Sequence, residues 1–159
     1  LHYFDPQENK SYVPYVVETS IGLDRMFLAV FSNSLQEEAL ENGTTRTVLK
    51  LPAVLAPYKA AILPLVKKDG LPEVARQIMD DLKWDFNVFY DEKDAVGKRY
   101  RRQDAAGTPF CITIDHDTLE DNSVTIRHRD TMDQKRVAIS DLKEIIKKEV
   151  AIKTWLQKM

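Results

Sequence analysis

The run Lys59-Ala-Ala-Ile-Leu-Pro-Leu-Val66 restricts the possible fold more than any other stretch of the chain. A strand with one wet face alternates polar and apolar side chains. A run apolar on both sides belongs to a strand covered on both faces, as at the centre of a parallel sheet. The residues that follow supply the covering by alternating helix and strand. Asp69-Gly70 turns the chain, Pro72 sits where a first helical turn tolerates it, and Val74, Ile78 and Leu82 give a helix over residues 73–82 its core stripe. Residues 86–90 read as a second strand, 95–106 as a short, highly charged helix ended by Gly107, and 110–115 as a third strand. A turn at 117–122 leads to a fourth strand at 124–127, and residues 134–138 add an edge strand. Ser140 or Asp141 then caps a closing helix with Leu142, Ile145, Ile146 and Val150 on one face. βαβ winding followed by a hairpin predicts an α/β fold, a mixed and mainly parallel sheet with flanking helices.

Upstream of this unit the pattern changes. Residues 46–51, Arg-Thr-Val-Leu-Lys-Leu, alternate and read as a half-buried strand. Pro52 and Pro57 bound a stiff apolar connector, because each fixes its own φ and restricts its predecessor. The predicted organisation is therefore residues 1–51, a linker at 52–57, and a domain at 58–159. Within the first part, Tyr15-Val-Val-Glu18 reads as a short strand and the next residues as a bend, with Gly22 free to take angles that other residues resist. A helix over about residues 23–40, apolar on nearly every side, is expected to be buried, and Glu41-Asn-Gly-Thr-Thr to turn. Glu18, Ser20 and Arg25 are then polar groups at the rim of an apolar strand–turn–helix. An arginine in the first turn of a buried helix needs a partner or a cleft. Either Arg25 pairs with Asp24 or Glu18, or this rim takes an anionic ligand.

Composition removes several function classes. Hydrophobic residues make up 43% and charged residues 30%, the balance of a soluble globular chain. The longest apolar run is too short to span a bilayer, and Leu1-His-Tyr-Phe-Asp-Pro has no signal-peptide character, so a cytoplasmic setting without membrane contact is expected. The lack of an initiating Met suggests an excised piece. Cys111 is the single cysteine, which excludes a disulfide framework, a thiolate zinc site and a thioredoxin-like redox pair. His2, His116 and His128 lack second ligands at metal spacing, and no metal site is expected.

The net charge of −2 hides a segregated distribution. Residues 80–94 hold six acids against two lysines, whereas 98–102 hold Lys98, Arg99, Arg101 and Arg102 without an acid. On a helix those four share roughly one face, either a solvated basic face or a phosphate-binding one. Arg127-His-Arg-Asp130 leaves a strand end, placing Arg127 and Arg129 on one side, either as a structural Arg–Asp turn or as a loop offered to a ligand.

Glu18-Thr-Ser-Ile-Gly-Leu-Asp-Arg25 resembles motif 3 of the class II aminoacyl-tRNA synthetases, in the form carried by glycyl-tRNA synthetases. The resemblance continues through Arg46-Thr-Val-Leu-Lys-Leu-Pro52, Gly97-Lys-Arg-Tyr-Arg-Arg-Gln-Asp104, Gly107-Thr-Pro-Phe110, Asp117-Thr-Leu-Glu-Asp121 and residues 124–137, and so covers nearly the whole chain in order. It implies a remnant of the catalytic domain followed by the anticodon-binding domain shared by glycyl-, histidyl-, prolyl- and threonyl-tRNA synthetases. It implies that Arg25 holds the ATP γ-phosphate with Gly22 beside it, and that Glu18 and Ser20 contact glycine. Thr19 stands where proline is frequent in the family. Motifs 1 and 2 are not recognisable, so the chain alone is not expected to activate glycine. ATP and Mg2+ are implied for the full-length enzyme, with none expected on this fragment and a homodimer formed through the missing domain. By the same resemblance Lys98, Arg99, Arg101, Arg102, Thr108, Arg127, Arg129 and Asp130 would contact tRNA(Gly). A prolyl or threonyl sister enzyme, and a non-catalytic RNA-binding module with the same fold, are the alternatives.

Overall fold

The computed structural model describes residues 1–40 and 43–157. The chain opens with a small hairpin of β1 (Tyr3–Asp5) and β2 (Lys10–Tyr12), closed by the edge-to-face pair of Tyr3 and Tyr12. Helix α1 (Leu23–Ser34) leads into a second hairpin, β3 (Leu35–Ala39) and β4 (Thr45–Leu49). The remaining elements are β5 (Ala60–Pro64), α2 (Leu71–Leu82), β6 (Val88–Tyr90), α3 (Val96–Ala106), β7 (Phe110–Ile114), α4 (His116–Asp121), β8 (Ser123–His128), β9 (Gln134–Ala138), a 3-10 turn at Ile139–Asp141, α5 (Leu142–Val150) and α6 (Ile152–Leu156).

Strands β5 to β9 form one sheet in the order β6-β5-β7-β8-β9. Strand β5 is parallel to both β6 and β7, while β8 and β9 extend the sheet by antiparallel pairing. Every residue of β5 is buried, as its unbroken apolar run requires, and Pro64 is tolerated as its last residue. One face carries the main core: Ala60 and Ile62 of β5, Phe110, Ile112 and Ile114 of β7, and Val124 and Ile126 of β8, covered by Leu71, Ala75, Ile78 and Leu82 of α2 and by Leu142 and Ile146 of α5. The other face buries a smaller set, Ala61, Leu63 and Cys111, with Phe89 and Tyr100 packed against them. Burial pushes the Cys111 thiol up to about 12, so it stays protonated and inert near neutrality.

The predicted α/β fold stands, and the predicted elements of residues 59–150 recur with shifted ends. The predicted turn at 117–122 is instead helix α4, because Asp115 and Thr118 form a reciprocal capping box. Asp141 precedes α5 without a side-chain cap.

The first forty residues depart further. Residues 15–18 form no strand, and α1 stops at Ser34 rather than near residue 40. Residues 35–39 have adequate helix propensity, but the ladder to β4 and the pairing of Glu38 with Arg46 and Lys50 hold them extended. Helix α1 is not buried: Leu23 is 82% and Phe27 67% exposed. Its apolar residues face Leu49, Leu51, Leu55 and Pro57 across a groove of about 450 Å³. Of the turn expected at 41–45, Glu41 and Asn42 lie outside the described residues, while Gly43 has φ +76.

The connector at 52–57 is pinned. The Lys59 Nζ donates to the carbonyl oxygens of Ala53 (3.1 Å), Val54 (2.8 Å) and Ala56 (2.8 Å). Strand β4, on its far side, packs against α3: a Cβ on Gly107 would lie 3.1 Å from the Leu49 carbonyl oxygen.

Candidate nucleic-acid interface

The two sheet faces differ because the strands alternate. On β8, Val124 and Ile126 point into the main core, which turns Ser123, Thr125 and Arg127 to the side of α3. Their partners on β9 are Ala138, Arg136 and Gln134, and Thr113 of β7 pairs with Thr125. Helix α3 lies over the apolar part of this face, and past β7 the face becomes hydroxyl, amide and guanidinium. Gln134 is exposed, while Thr125 and Arg136 are half-buried.

Arg136 organises that surface. Its guanidinium donates to Asp115 Oδ2 (2.6 Å), Ser123 Oγ (2.6 Å), Thr125 Oγ1 (3.4 Å) and Asp121 Oδ1 (3.3 Å). Burial acts to raise the Asp115 carboxyl, and Arg136 with Thr118 outweighs it, holding it below the usual carboxylate range. At the inner margin, Tyr100 Oη and Thr113 Oγ1 share a 2.6 Å hydrogen bond, and the Arg127 guanidinium lies 4.9 Å from the Tyr100 ring centre.

Helix α3 contributes an outer and an inner face. Lys98, Arg101 and Arg102 are exposed. Arg102 is held by Asp91 (2.6 Å) and Asp94 (2.9 Å), whereas Lys98 and Arg101 have no ion pair among the described residues. The four basic residues do not share a face. Arg99 points inward, 1% exposed, and donates to the carbonyl oxygens of Pro64 (2.7 Å), Asp91 (3.1 Å) and Leu65 (3.2 Å). It caps the carboxyl ends of β5 and β6.

Arg127 and Arg129 are not presented to a ligand in this structure. Arg127 makes a two-pronged bond with Asp104, to Oδ1 at 2.8 Å and Oδ2 at 3.0 Å, and Asp104 is completely buried. Arg46 of β4 adds a third donor to Asp104 at 3.1 Å. Arg129 donates to the carbonyl oxygens of Gly107 and Leu51 (both 2.8 Å) and grips Asp130 at 2.6 and 2.9 Å. Asp130 remains exposed at the loop margin; burial works to raise its carboxyl, and Arg129 holds it low. Thr108 is 1% exposed and gives its hydroxyl proton to Gln103 Oε1 (2.7 Å). Three cations meeting three carboxylates, Asp104, Asp130 and, at Arg46, Glu38, with several carbonyls form a satisfied network, which is why these arginines can be buried.

Glu18, Ser20 and Arg25 are exposed on the segment before α1 and at its start, their side chains with neither hydrogen bond nor ion pair to described residues. The pairing of Arg25 with Asp24 or Glu18 is therefore absent. Gly22 has φ −76 and ψ 122, ordinary extended angles, and a Cβ there would meet only Arg25 at 3.8 Å, so no glycine-only conformation is used. Among the described residues no group of three His, Cys, Asp or Glu side chains could hold a metal ion, and no helix is long and apolar enough to cross a membrane.

Sequence reasoning missed Asp115, Thr125, Gln134 and Arg136 as surface with Thr113 buried at its margin, and the buried bond between Arg46 and Asp104. The alternation within 123–127 and 134–138 was the signal for Thr125, Gln134 and Arg136 of the first group. No local signal identifies the second.

Comparison with known proteins adds a separate line. A family model described as "Anticodon binding domain" matches residues 59–149. Curated glycine–tRNA ligases are similar over nearly the whole chain: that of Borrelia hermsii is 51% identical over 93% of it, and those of Geobacillus thermodenitrificans and Clostridium tetani 52% and 53% over 94%. The chain spans about a third of their length, 33%, 32% and 32% respectively. Two solved structures share the fold. The RNA binding domain of threonyl-tRNA synthetase from Cryptosporidium parvum Iowa II matches with TM-score 0.57 and 24% identity, covering 63% of this chain and 25% of that one. Prolyl-tRNA synthetase from Cryptosporidium parvum gives TM-score 0.60 and 19% identity, covering 72% and 29%.

Proposed function

The chain belongs to the anticodon binding domain family, and from that premise we propose that the polar face of β8 and β9 receives the unpaired bases of a tRNA anticodon. The observation that carries this reading is the stretch of hydrogen-bonding sheet on β8 and β9, joined by two exposed cations of α3, Lys98 and Arg101, that have no ion pair among the described residues. Splayed single-stranded bases expose edges that hydroxyl, amide and guanidinium groups can bond, which suits Thr125, Gln134 and Arg136. Lys98, Arg101 and Arg102 would meet phosphates, setting affinity and register without reading sequence. Asp130 is a peripheral acceptor. In this arrangement Arg99, Thr108, Arg127 and Arg129 hold the surface in shape rather than touch RNA.

We further propose that the longer protein of which this chain is the C-terminal part is a glycine–tRNA ligase, joining glycine to tRNA(Gly) through glycyl-adenylate. Identity of 51–53% to ligases of that name supports glycine over proline or threonine. In that enzyme Glu18 would pair with the substrate ammonium, Ser20 would lie near its α-carbon, and Arg25, beside Gly22, would bind the ATP γ-phosphate. The exposure of Glu18, Ser20 and Arg25 fits groups whose partner is a ligand. Magnesium would be held, and the homodimer formed, by the part of the enzyme outside this chain, without which glycine is not activated.

Binding of the chain to transcripts of tRNA(Gly), tRNA(Pro) and tRNA(Thr), and to tRNA(Gly) with a changed anticodon, tests the reading. Preference for tRNA(Gly) that disappears with the anticodon is expected, together with no glycine-dependent ATP–pyrophosphate exchange. Arg136→Ala should weaken binding to tRNA(Gly) by about 1–3 kcal/mol while narrowing the gap between anticodons. Equal affinity for all transcripts would sink the assignment.

A further inference from the structure

Asp104 joins three parts of the chain that the sequence keeps far apart. Arg127 approaches it from β8, where it pairs with Gln134 and lies two residues from Thr125, both of the candidate RNA surface. Arg46 approaches it from the β3–β4 hairpin. The connection is reciprocal. Arg46 Nη1 also donates to the Arg129 carbonyl oxygen at 2.9 Å, and Arg129 Nη2 reaches back to the Leu51 carbonyl oxygen at 2.8 Å. The hairpin thus inserts a side chain into the sheet, and the sheet inserts one into the strand end of the hairpin. Gly107 allows the close approach of the two backbones, with φ +80 and the Leu49 carbonyl 3.1 Å from where its Cβ would lie.

Such a cluster is stiff. Its charges are largely removed from water, so displacement of a guanidinium takes a donor from Asp104 or leaves a carbonyl unbonded, at a cost that solvent does not recover. Arg127 is also stacked on Tyr100, whose hydroxyl is bonded to Thr113. A ligand seated on Thr125, Gln134 and Arg136 would thus lie on the strand pair that carries Arg127, whose guanidinium is bonded directly to the carboxylate that holds Arg46. We propose that Asp104 is a relay that tightens the β3–β4 hairpin when RNA occupies the sheet face, with Arg46 as the positioning residue on the receiving side. This rests on the RNA-binding reading above. Along the sequence the hairpin stands between the segment carrying Glu18, Ser20 and Arg25 and the domain that holds that face, so the relay would pass occupancy of the face toward that segment.

Hydrogen exchange of the chain, with and without a transcript of the tRNA(Gly) anticodon stem-loop, is the test. The wild-type chain should bind the stem-loop and slow exchange at the amides of residues 45–49, which do not contact it. Arg46→Met leaves Asp104 held by the Arg127 fork; it should keep stem-loop affinity and lose that slowing. Arg46→Lys keeps one charge but cannot reach both Asp104 and the Arg129 carbonyl, and should lose most of it, which covers the case in which the methionine variant does not fold. Slowing that persists in both variants, or bound RNA without slowing in the wild type, overturns the relay alone. A wild-type chain that does not bind the stem-loop overturns the RNA reading and the relay with it.

Discussion

Arg127 and Lys98 are both basic residues in basic stretches, yet their environments give opposite consequences for substitution. Arg127 is 5% exposed and two-pronged on a fully buried carboxylate. Removing it strands Asp104 in a low-dielectric interior with one remaining donor, so Arg127→Ala should cost about 3–5 kcal/mol in urea unfolding, in the range for a broken buried pair. Lys98→Ala should stay within about 0.5 kcal/mol. The surface carboxylates set a pH dependence. Burial acts to raise Asp91, Asp115 and Asp130, but their arginine partners Arg102, Arg136 and Arg129 leave each below its ordinary value in the folded chain. A depressed folded pKa contributes stability above the unfolded value, about 3.9, and loses it as pH falls through the folded one. Unfolding free energy measured against pH should therefore be level above about pH 5 and fall steeply below about pH 4; a flat profile to pH 2 would remove these pairs as contributors.

Among the elements, α3 departs furthest from the usual amphipathic rule. Its inward stripe is Arg99, Gln103 and Asp104, with Tyr100 half-buried beside them, so it is fixed by directed hydrogen bonds more than by apolar area. Hydrogen bonds demand position, and the C-cap supplies it. Gly107 sits in the left-handed region under β4, where a side chain meets both strain and the Leu49 backbone. Gly107→Ala should destabilise the chain by roughly 1–2 kcal/mol from the left-handed angle alone, and more from the clash with Leu49. Thermal unfolding checks this, and an unchanged midpoint would contradict the close approach. Helix α1 shows the complementary case: apolar on nearly every side by sequence, it leaves Leu23, Phe27 and Leu28 exposed in this chain. Periodicity reports what a helix can bury, not whether its cover is present.

At the scale of the molecule, the β3–β4 hairpin and the five-stranded sheet are tied by the Asp104 cluster and by Lys59, whose ammonium closes the connector turn. The break expected at 52–57 is thus a connector bonded on both sides. Charge is distributed to match, with acids clustered at 80–94 and, on α3, Lys98 and Arg101 without an ion pair among the described residues. Replacing both Lys98 and Arg101 with Ala should weaken tRNA binding across all anticodons and lower the salt slope by about 0.7 for each phosphate no longer neutralised. A slope that does not change would place those cations in bulk solvent.

The sequence by itself determined the order of strands and helices after residue 58, apart from the short helices α4 and α6, together with the buried β5 strand and the core stripes of α2 and α5. Each of these follows from spacing between near neighbours, which a periodic pattern records directly. It also left visible the alternation that separates core from surface on β8 and β9. Only the tertiary structure decided which charged residues face inward. Arg46 and Arg127 are buried because a carboxylate 58 and 23 residues away is held within bonding distance of each, and that proximity has no local signature. Within the basic stretches Arg99, Arg127 and Arg129 face inward, since a buried charge is stable only where the fold brings its partners to it.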